Sequence, residues 1–324
     1  MDRSSFLTQL HGRYALPRSM VVELAERSTG IEAVQVQRLI SGDENEVYRV
    51  ELWDGSAVYP RITWPGKDAV LKGRRETWAM EQARSVGVPV PEVLADHPIG
   101  SDDGERFAIV VAGSPGRQLS SLLPSLTTSE RREAMVDLGR CLAKLHCVSM
   151  PGAGVPEDDG SWPDPHTHRH GYLAARLDGC SRLSVAGLSR SEIAAVTRHP
   201  TDNVNLLVPD KPVLCHGDLG PEHVFLDGDL HVCGLIDWGM WNAGSAAGDL
   251  ASVAIRHDDA DFVAVAVGHG GPFVDVAESR QAVLPCLIAQ LIGHAEWYLT
   301  SGQAALLPPS IAALRRPLAA VPGA

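Results

Sequence analysis

No stretch of this chain approaches the roughly 18 consecutive apolar residues that a membrane-spanning helix needs. The opening segment, MDRSSFLTQLHGRY, holds no signal-peptide core, because Asp2, Arg3, Gln9 and His11 interrupt it. The expected location is therefore the cytoplasm, with no membrane partner. Cysteine is sparse and scattered: Cys141, Cys147, Cys180, Cys215, Cys233 and Cys286 include no C-x-x-C pair. That spacing excludes a zinc ribbon or a disulfide framework and leaves free, mostly buried thiols. Positive charge is also short, with 28 Lys and Arg against 40 Asp and Glu and a net charge of −12. A nucleic-acid partner is not expected, since phosphate contacts need basic side chains. Internal repeats and long low-complexity tracts are missing too.

What remains is ordinary globular composition, 44% hydrophobic and 21% charged over 324 residues, enough for two domains or one large bilobal one. The pattern up to about Val111 is β-rich with one clear helix, and after Gly116 it is mainly helical. The Gly- and Pro-containing AGSPG segment, residues 112–116, marks a boundary between residues 1–112 and 113–324. In the first part, Val47 to Leu52 and Ala57 to Thr63 alternate in polarity around Asp54-Gly55, a hairpin signal. A helix over Arg74 to Val86 follows, stopped by Gly87. VPVPEVLA reads as extended, and Phe107 to Val111 as a strand.

In the second part, Thr127 and Glu130 form a capping box ahead of an apolar stripe from Ala134 to His146, so a core helix begins there. Lys211 to Cys215 and Val224 to Leu226 read as short strands, and Leu230 to Ile236 returns after the Asp227-Gly228-Asp229 turn. Leu284 to Leu299 is a further helix, and Gly152 to Arg169 reads as a surface loop.

The segment LCHGDLGPEHVFLDGDLHVCGLIDWG, residues 214–239, carries the chemistry. Two apolar runs each end in an aspartate, and an unpaired carboxylate there is costly. Pairing the two strands brings Asp218 and Asp237 to one edge of a small sheet, with His223 between them in sequence. Two carboxylates and an imidazole facing one pocket suit a divalent cation plus a general base.

HGDLGPEH followed by LIDWG resembles the catalytic segment of aminoglycoside phosphotransferases, relatives of the protein kinases. The macrolide phosphotransferases are the most similar subgroup in motif, because His223 stands where most of the wider family has Asn. The resemblance implies an α+β, bilobal, protein-kinase-like fold: a β-rich nucleotide-binding lobe and a larger helical catalytic lobe. It implies that Asp218 accepts the substrate hydroxyl proton, and that His223 and Asp237 hold Mg²⁺, or alternatively Mn²⁺, against the phosphates of ATP or GTP. Imidazole is an unusual partner for Mg²⁺, which prefers oxygen.

The same resemblance places the phosphate-covering turn at Ser41 to Tyr48, including Gly42 and Asn45. It places the phosphate-neutralising cation at Arg61, oriented by Glu76 or by its competitor Glu81. Lys72 is too close to Glu76 to be that cation, with no room between them for a strand, a loop and a helix start. The hinge whose backbone would meet the purine falls at Val110 to Ala112. Asp249 matches a family aspartate that braces the catalytic loop.

Other features are set aside. His166, His168 and His170 lack a spaced acid or Cys and read as loop residues, Gly268 to Pro272 as an interhelix turn, and Cys215 as a buried strand thiol. The expected activity is transfer of the γ-phosphate to a hydroxyl of an antibiotic or related natural product, conferring resistance. A metabolite kinase or a nucleotide-binding pseudokinase is the alternative. Acidic residues after the catalytic segment, Asp258, Asp259 and Glu296 among them, are expected to meet a cationic acceptor. The chain is expected to act as a monomer or homodimer.

Overall fold

The computed structural model describes residues 2–40, 42, 45–101, 104–273 and 275–318. Five antiparallel strands form the first sheet: β1 (Ala33–Leu39), β2 (Asn45–Leu52), β3 (Ala57–Thr63), β4 (Val93–Ser101) and β5 (Gly104–Ala112), in spatial order β1-β2-β3-β5-β4. The predicted Asp54-Gly55 hairpin joins β2 to β3, with the Asp54 carboxylate accepting the Ser56 N–H at 2.9 Å. Alternation along β5 divides the core, as a strand's period of two requires. Ala108 and Val110 join a cluster with Val21, Leu24 and Ala25, while Phe107, Ile109 and Val111 pack with Ala79, Met80 and Ala83.

Three helices, not one, accompany this sheet: α1 (Arg3–Arg13), α2 (Arg18–Thr29) and α3 (Ala69–Ser85). The α2 helix covers one face and α3 the other. The α3 helix starts five residues before the expected Arg74, so Lys72 and Glu76 lie one turn apart on the same helix.

After β5 the chain runs through β6 (Arg117–Gln118) and a short helix α4 (Leu119–Leu122) into α5 (Thr128–Leu145), whose Thr127–Glu130 capping box is present. Next come α6 (Pro165–Arg182), α7 (Arg190–Asp202), α8 (Val204–Leu207), β7 (Val213–Cys215), β8 (Val224–Leu226), β9 (Val232–Leu235) and β10 (Asn242–Gly244). Four helices close the described chain: α9 (Ala246–Arg256), α10 (Asp259–His269), α11 (Val276–Thr300) and α12 (Leu307–Leu318).

Three expectations need correction. Residues expected in a surface loop include the start of α6: Asp164 caps it by accepting the His166 and Thr167 N–H groups, and the three histidines are helical. Gly268 belongs to α10, so the turn begins only at Gly270. The last long helix spans 25 residues, eight more at its N-terminus than expected, and is apolar enough by composition to cross a membrane. Cys286, Ile288, Ile292 and Ala295 on α11 lie in two core clusters, as expected of a helix buried on several faces of a globular protein.

Candidate active site

Two small sheets build the catalytic floor. β7 pairs with β10, and β8 lies between β6 and β9. The β8–β9 turn is held by Asp227, whose Oδ1 accepts the N–H of Asp229 and of His231, each at 2.9 Å. At the other end of this hairpin, Ile236 donates its N–H to the His223 carbonyl at 2.9 Å. That bond sets Asp237, which follows in a left-handed conformation (φ 66°), beside His223.

The imidazole then joins the two acids. His223 Nδ1 donates to the Asp218 backbone carbonyl at 2.8 Å and lies 3.7 Å from Asp218 Oδ2. Its Nε2 lies 3.5 Å from Asp237 Oδ2. The carboxylates of Asp218 and Asp237 thus meet at one side chain, which is itself only 12% exposed.

The sheet supplies the positive charge above this floor. Arg61 on β3 forms an ion pair with Glu76 on α3 and places Nη2 2.8 Å from Asp237 Oδ1. Glu76 is buried and Glu81 is exposed, so the geometry selects Glu76. Helix α3 is fixed against the catalytic side by aromatic packing: the Trp78 ring lies 5.7 Å from Trp162 and 5.3 Å from Trp241. Burial alone would raise the Asp237 carboxyl, but the charge and hydrogen bond of Arg61 hold it below the ordinary carboxylate range.

The loop carrying Asp218 is braced from below. The fully buried Asp249 on α9 accepts the His216 N–H and the Gly217 N–H, each at 2.8 Å, and pairs with His146 Nε2 at 3.0 Å. Here too burial opposes ionisation, and the hydrogen bond and charge of His146 lead the effects that hold the carboxyl low. His216 donates Nε2–H to the Ile236 carbonyl at 3.0 Å and accepts the Asp218 N–H on Nδ1 at 3.3 Å. Burial pushes its pKa down, so the ring is held neutral. Cys215, His146 and Asp249 lie close enough to suggest a metal site, but the Asp249 oxygens are already spent on three donors.

Gly217 is required at its place in the motif. Its φ is +85°, and a Cβ there would collide with the Met240 carbonyl. Gly217→Ala is expected to cost about 2–3 kcal/mol, from left-handed strain plus that collision. Urea denaturation of the two proteins checks it.

Two contributors have no signal in the sequence. His11 on α1 places Nε2 2.7 Å from the carbonyl of Gly42, so a helix outside the recognised motifs holds the one glycine expected in the phosphate-covering turn. Arg256, the last residue of α9, lies 3.7 Å from Asp218 Oδ1 and pairs with Glu222. It lies where a side chain at Gly220 would stand.

Other expected residues are placed less favourably. Ser41 lies outside the described residues, while Asn45 opens β2, buried, opposite Thr63. Val110 is buried with its strand flanked by Pro60 and Ala95, and the Ala112 N–H is already donated to the Glu92 carbonyl at 2.9 Å. A purine would therefore find no free N–H at residue 112. The expected acidic lining does not assemble. Asp258 pairs with Arg131 at 2.6 Å, Asp259 pairs with Arg280 at 2.5 Å, and Glu296 pairs with Arg182.

A five-stranded antiparallel sheet whose Arg–Glu pair reaches an aspartate of the helical part defines the kinase-like class of phosphotransferases. The chain belongs to the phosphotransferase enzyme family (APH), whose model matches residues 35–279. A curated relative, an aminoglycoside 3'-phosphotransferase from Streptomyces ribosidificus, is 29% identical over 174 residues. That alignment spans 52% of this chain and 59% of the relative's length. Among solved structures, aminoglycoside phosphotransferase APH(4)-Ia bound to ADP and hygromycin B superposes with a TM-score of 0.69 at 16% identity, covering 94% of this chain and 99% of that one. A protein assigned as a fructosamine-3-kinase from Thermobifida fusca gives 0.64 at 21% identity, covering 92% and 100%. These likenesses establish the fold.

Proposed function

We propose that this protein transfers the γ-phosphoryl group of ATP or GTP to a hydroxyl of a small molecule. The observation that carries the reading is the imidazole of His223 facing both carboxylates, with Arg61 reaching Asp237 from the sheet. Phosphoryl transfer needs little covalent work from a protein; positioning and charge neutralisation do most of it.

In this reading the Asp218 carboxylate accepts the hydroxyl proton as the acceptor oxygen attacks. Arg256 beside it keeps the carboxylate oriented before the acceptor arrives. Arg61 takes phosphate oxygens while Glu76 keeps its guanidinium in place. His223 Nε2 and Asp237 Oδ2 would hold a divalent cation, which when bound neutralises charge on the phosphates. The pair fits: one oxygen and one nitrogen atom face each other while their outer atoms are fixed elsewhere.

The acceptor is proposed to be an antibiotic of the aminoglycoside, macrolide or nucleoside type, with resistance as the outcome. One observation favours a second acceptor class. The acids expected to meet a polycation are neutralised by arginines, and Arg256 stands beside the base. That arrangement suits a sugar-like metabolite with fewer amines.

Incubating the protein with both nucleotides and a panel spanning these classes, then weighing the products, tests the reading. A mass gain of one phosphoryl group on an acceptor is the expected result. Failure to consume either nucleotide with any acceptor, together with no ADP or GDP binding, would overturn it.

A further inference from the structure

We infer that the cation held by this site is one that accepts a nitrogen ligand, so the protein selects Mn²⁺ over Mg²⁺. The inference rests on the phosphotransfer reading, and it follows from the tautomer of one ring. A carbonyl oxygen can only accept, so the 2.8 Å contact between His223 Nδ1 and the Asp218 carbonyl fixes the proton on Nδ1. The Nε2 lone pair is left pointing away from that bond. Its neighbour, Asp237 Oδ2, lies at 3.5 Å, too far for a hydrogen bond. Two donor atoms on adjacent sites of a six-coordinate cation sit about 3 Å apart, so this spacing needs only a small inward shift.

Among the described residues of the site, that nitrogen is the one soft donor. Asp237 Oδ1 is held by Arg61 at 2.8 Å, which turns Oδ2 towards His223. His216, the next imidazole at 6.4 Å between ring centres, spends its Nε2 proton on the Ile236 carbonyl and its Nδ1 on the Asp218 N–H. The two cysteines of the 214–239 segment, Cys215 and Cys233, both pair their thiols with backbone carbonyls, and Cys215 is buried. The donor set is therefore one imidazole nitrogen and one carboxylate oxygen, completed by phosphate and water oxygens. Mg²⁺ demands oxygen and loses most when a nitrogen replaces one. Mn²⁺ accepts a mixed nitrogen and oxygen octahedron, whereas Zn²⁺ and Cu²⁺ favour sites with more nitrogen or sulfur. An amide oxygen at position 223 would remove this bias.

The test uses Mn²⁺ and ADP with the intact protein. Pulsed electron paramagnetic resonance of the bound Mn²⁺ reports a directly bonded nitrogen through ¹⁴N modulation, and titration with Mg²⁺ reports selectivity. The expected result is ¹⁴N modulation in the wild type and none in His223→Asn. The Mg²⁺ excess needed to displace half the Mn²⁺ should fall by about tenfold in the variant. Comparing the two proteins cancels the nucleotide's own metal preference. A wild-type Mn²⁺–ADP complex without ¹⁴N modulation overturns the inference alone, without any use of the variant. An unchanged displacement ratio in a variant that still binds Mn²⁺–ADP overturns it as well. No complex of Mn²⁺ with either ADP or GDP overturns the phosphotransfer reading and this inference together.

Discussion

Asp218→Asn should lower kcat by about a hundredfold to ten-thousandfold, the contribution expected of a positioned base, while nucleotide binding stays close to wild type. The separation of the two effects follows from which atoms Asp218 uses. His223 is oriented by the Asp218 backbone carbonyl, which the substitution keeps, and not by the carboxylate. The contacts of Arg61 with Glu76 and with Asp237 do not involve residue 218. An asparagine preserves the shape of the side chain, which is about one-third exposed. It loses only the ability to take a proton and the charge facing Arg256. Steady-state turnover and ADP titration on the same preparation measure both halves. Turnover within tenfold of wild type would remove Asp218 from the base role. An equal loss of nucleotide binding would show that it acts by holding the site together.

How far the sequence could be read depends on distance along the chain. The candidate cluster was legible because its three side chains and the turn that folds them together lie between His216 and Trp238. Arg61 is placed by the resemblance, with Glu76 and Glu81 as alternative partners, while spacing serves only to set Lys72 aside. Glu81 could be discarded only once its exposure was known. The contact of Arg256 with Asp218 joins the end of a helix to a loop far upstream, and no local pattern encodes it. The pairing of Asp258 with Arg131 joins residues 127 positions apart. Reading those acids as an exposed lining treated as free what tertiary folding had already neutralised.

Some misses had a signal that was available. Asp164-Pro165 is a helix cap followed by proline at the first helical position, and α6 starts there. Asp275 likewise caps α11 through the N–H groups of Ala277 and Glu278, ten residues before the Pro285 that lies inside the helix. The first two helices are different. The α2 helix has a proline at its N-cap with no side-chain cap, and α1, though capped by Asp2, buries little apolar surface, so neither stands out in the sequence.

The bracing of the catalytic loop gives the largest expected change in stability. Asp249→Ala leaves two backbone N–H groups, those of His216 and Gly217, and the His146 Nε2 without their acceptor. Each unsatisfied buried donor costs about 1–3 kcal/mol, so a loss of about 3–5 kcal/mol is expected, with partial relaxation reducing the sum. Asn at the same position keeps one acceptor oxygen and should lose about half as much. The pH dependence identifies the cause. The folded Asp249 carboxyl titrates below its ordinary value, so the unfolded chain binds its proton first as pH falls. Its contribution is complete above the unfolded pKa of about 4 and disappears as pH drops through the folded one. The difference in unfolding free energy between wild type and Asp249→Ala should therefore be constant from neutral pH to about 5 and narrow below about 4. Denaturant titrations across that range measure it. A difference that stayed constant down to pH 2 would mean that the carboxylate's charge contributes nothing to holding the loop, and that Asp249 acts there by shape alone.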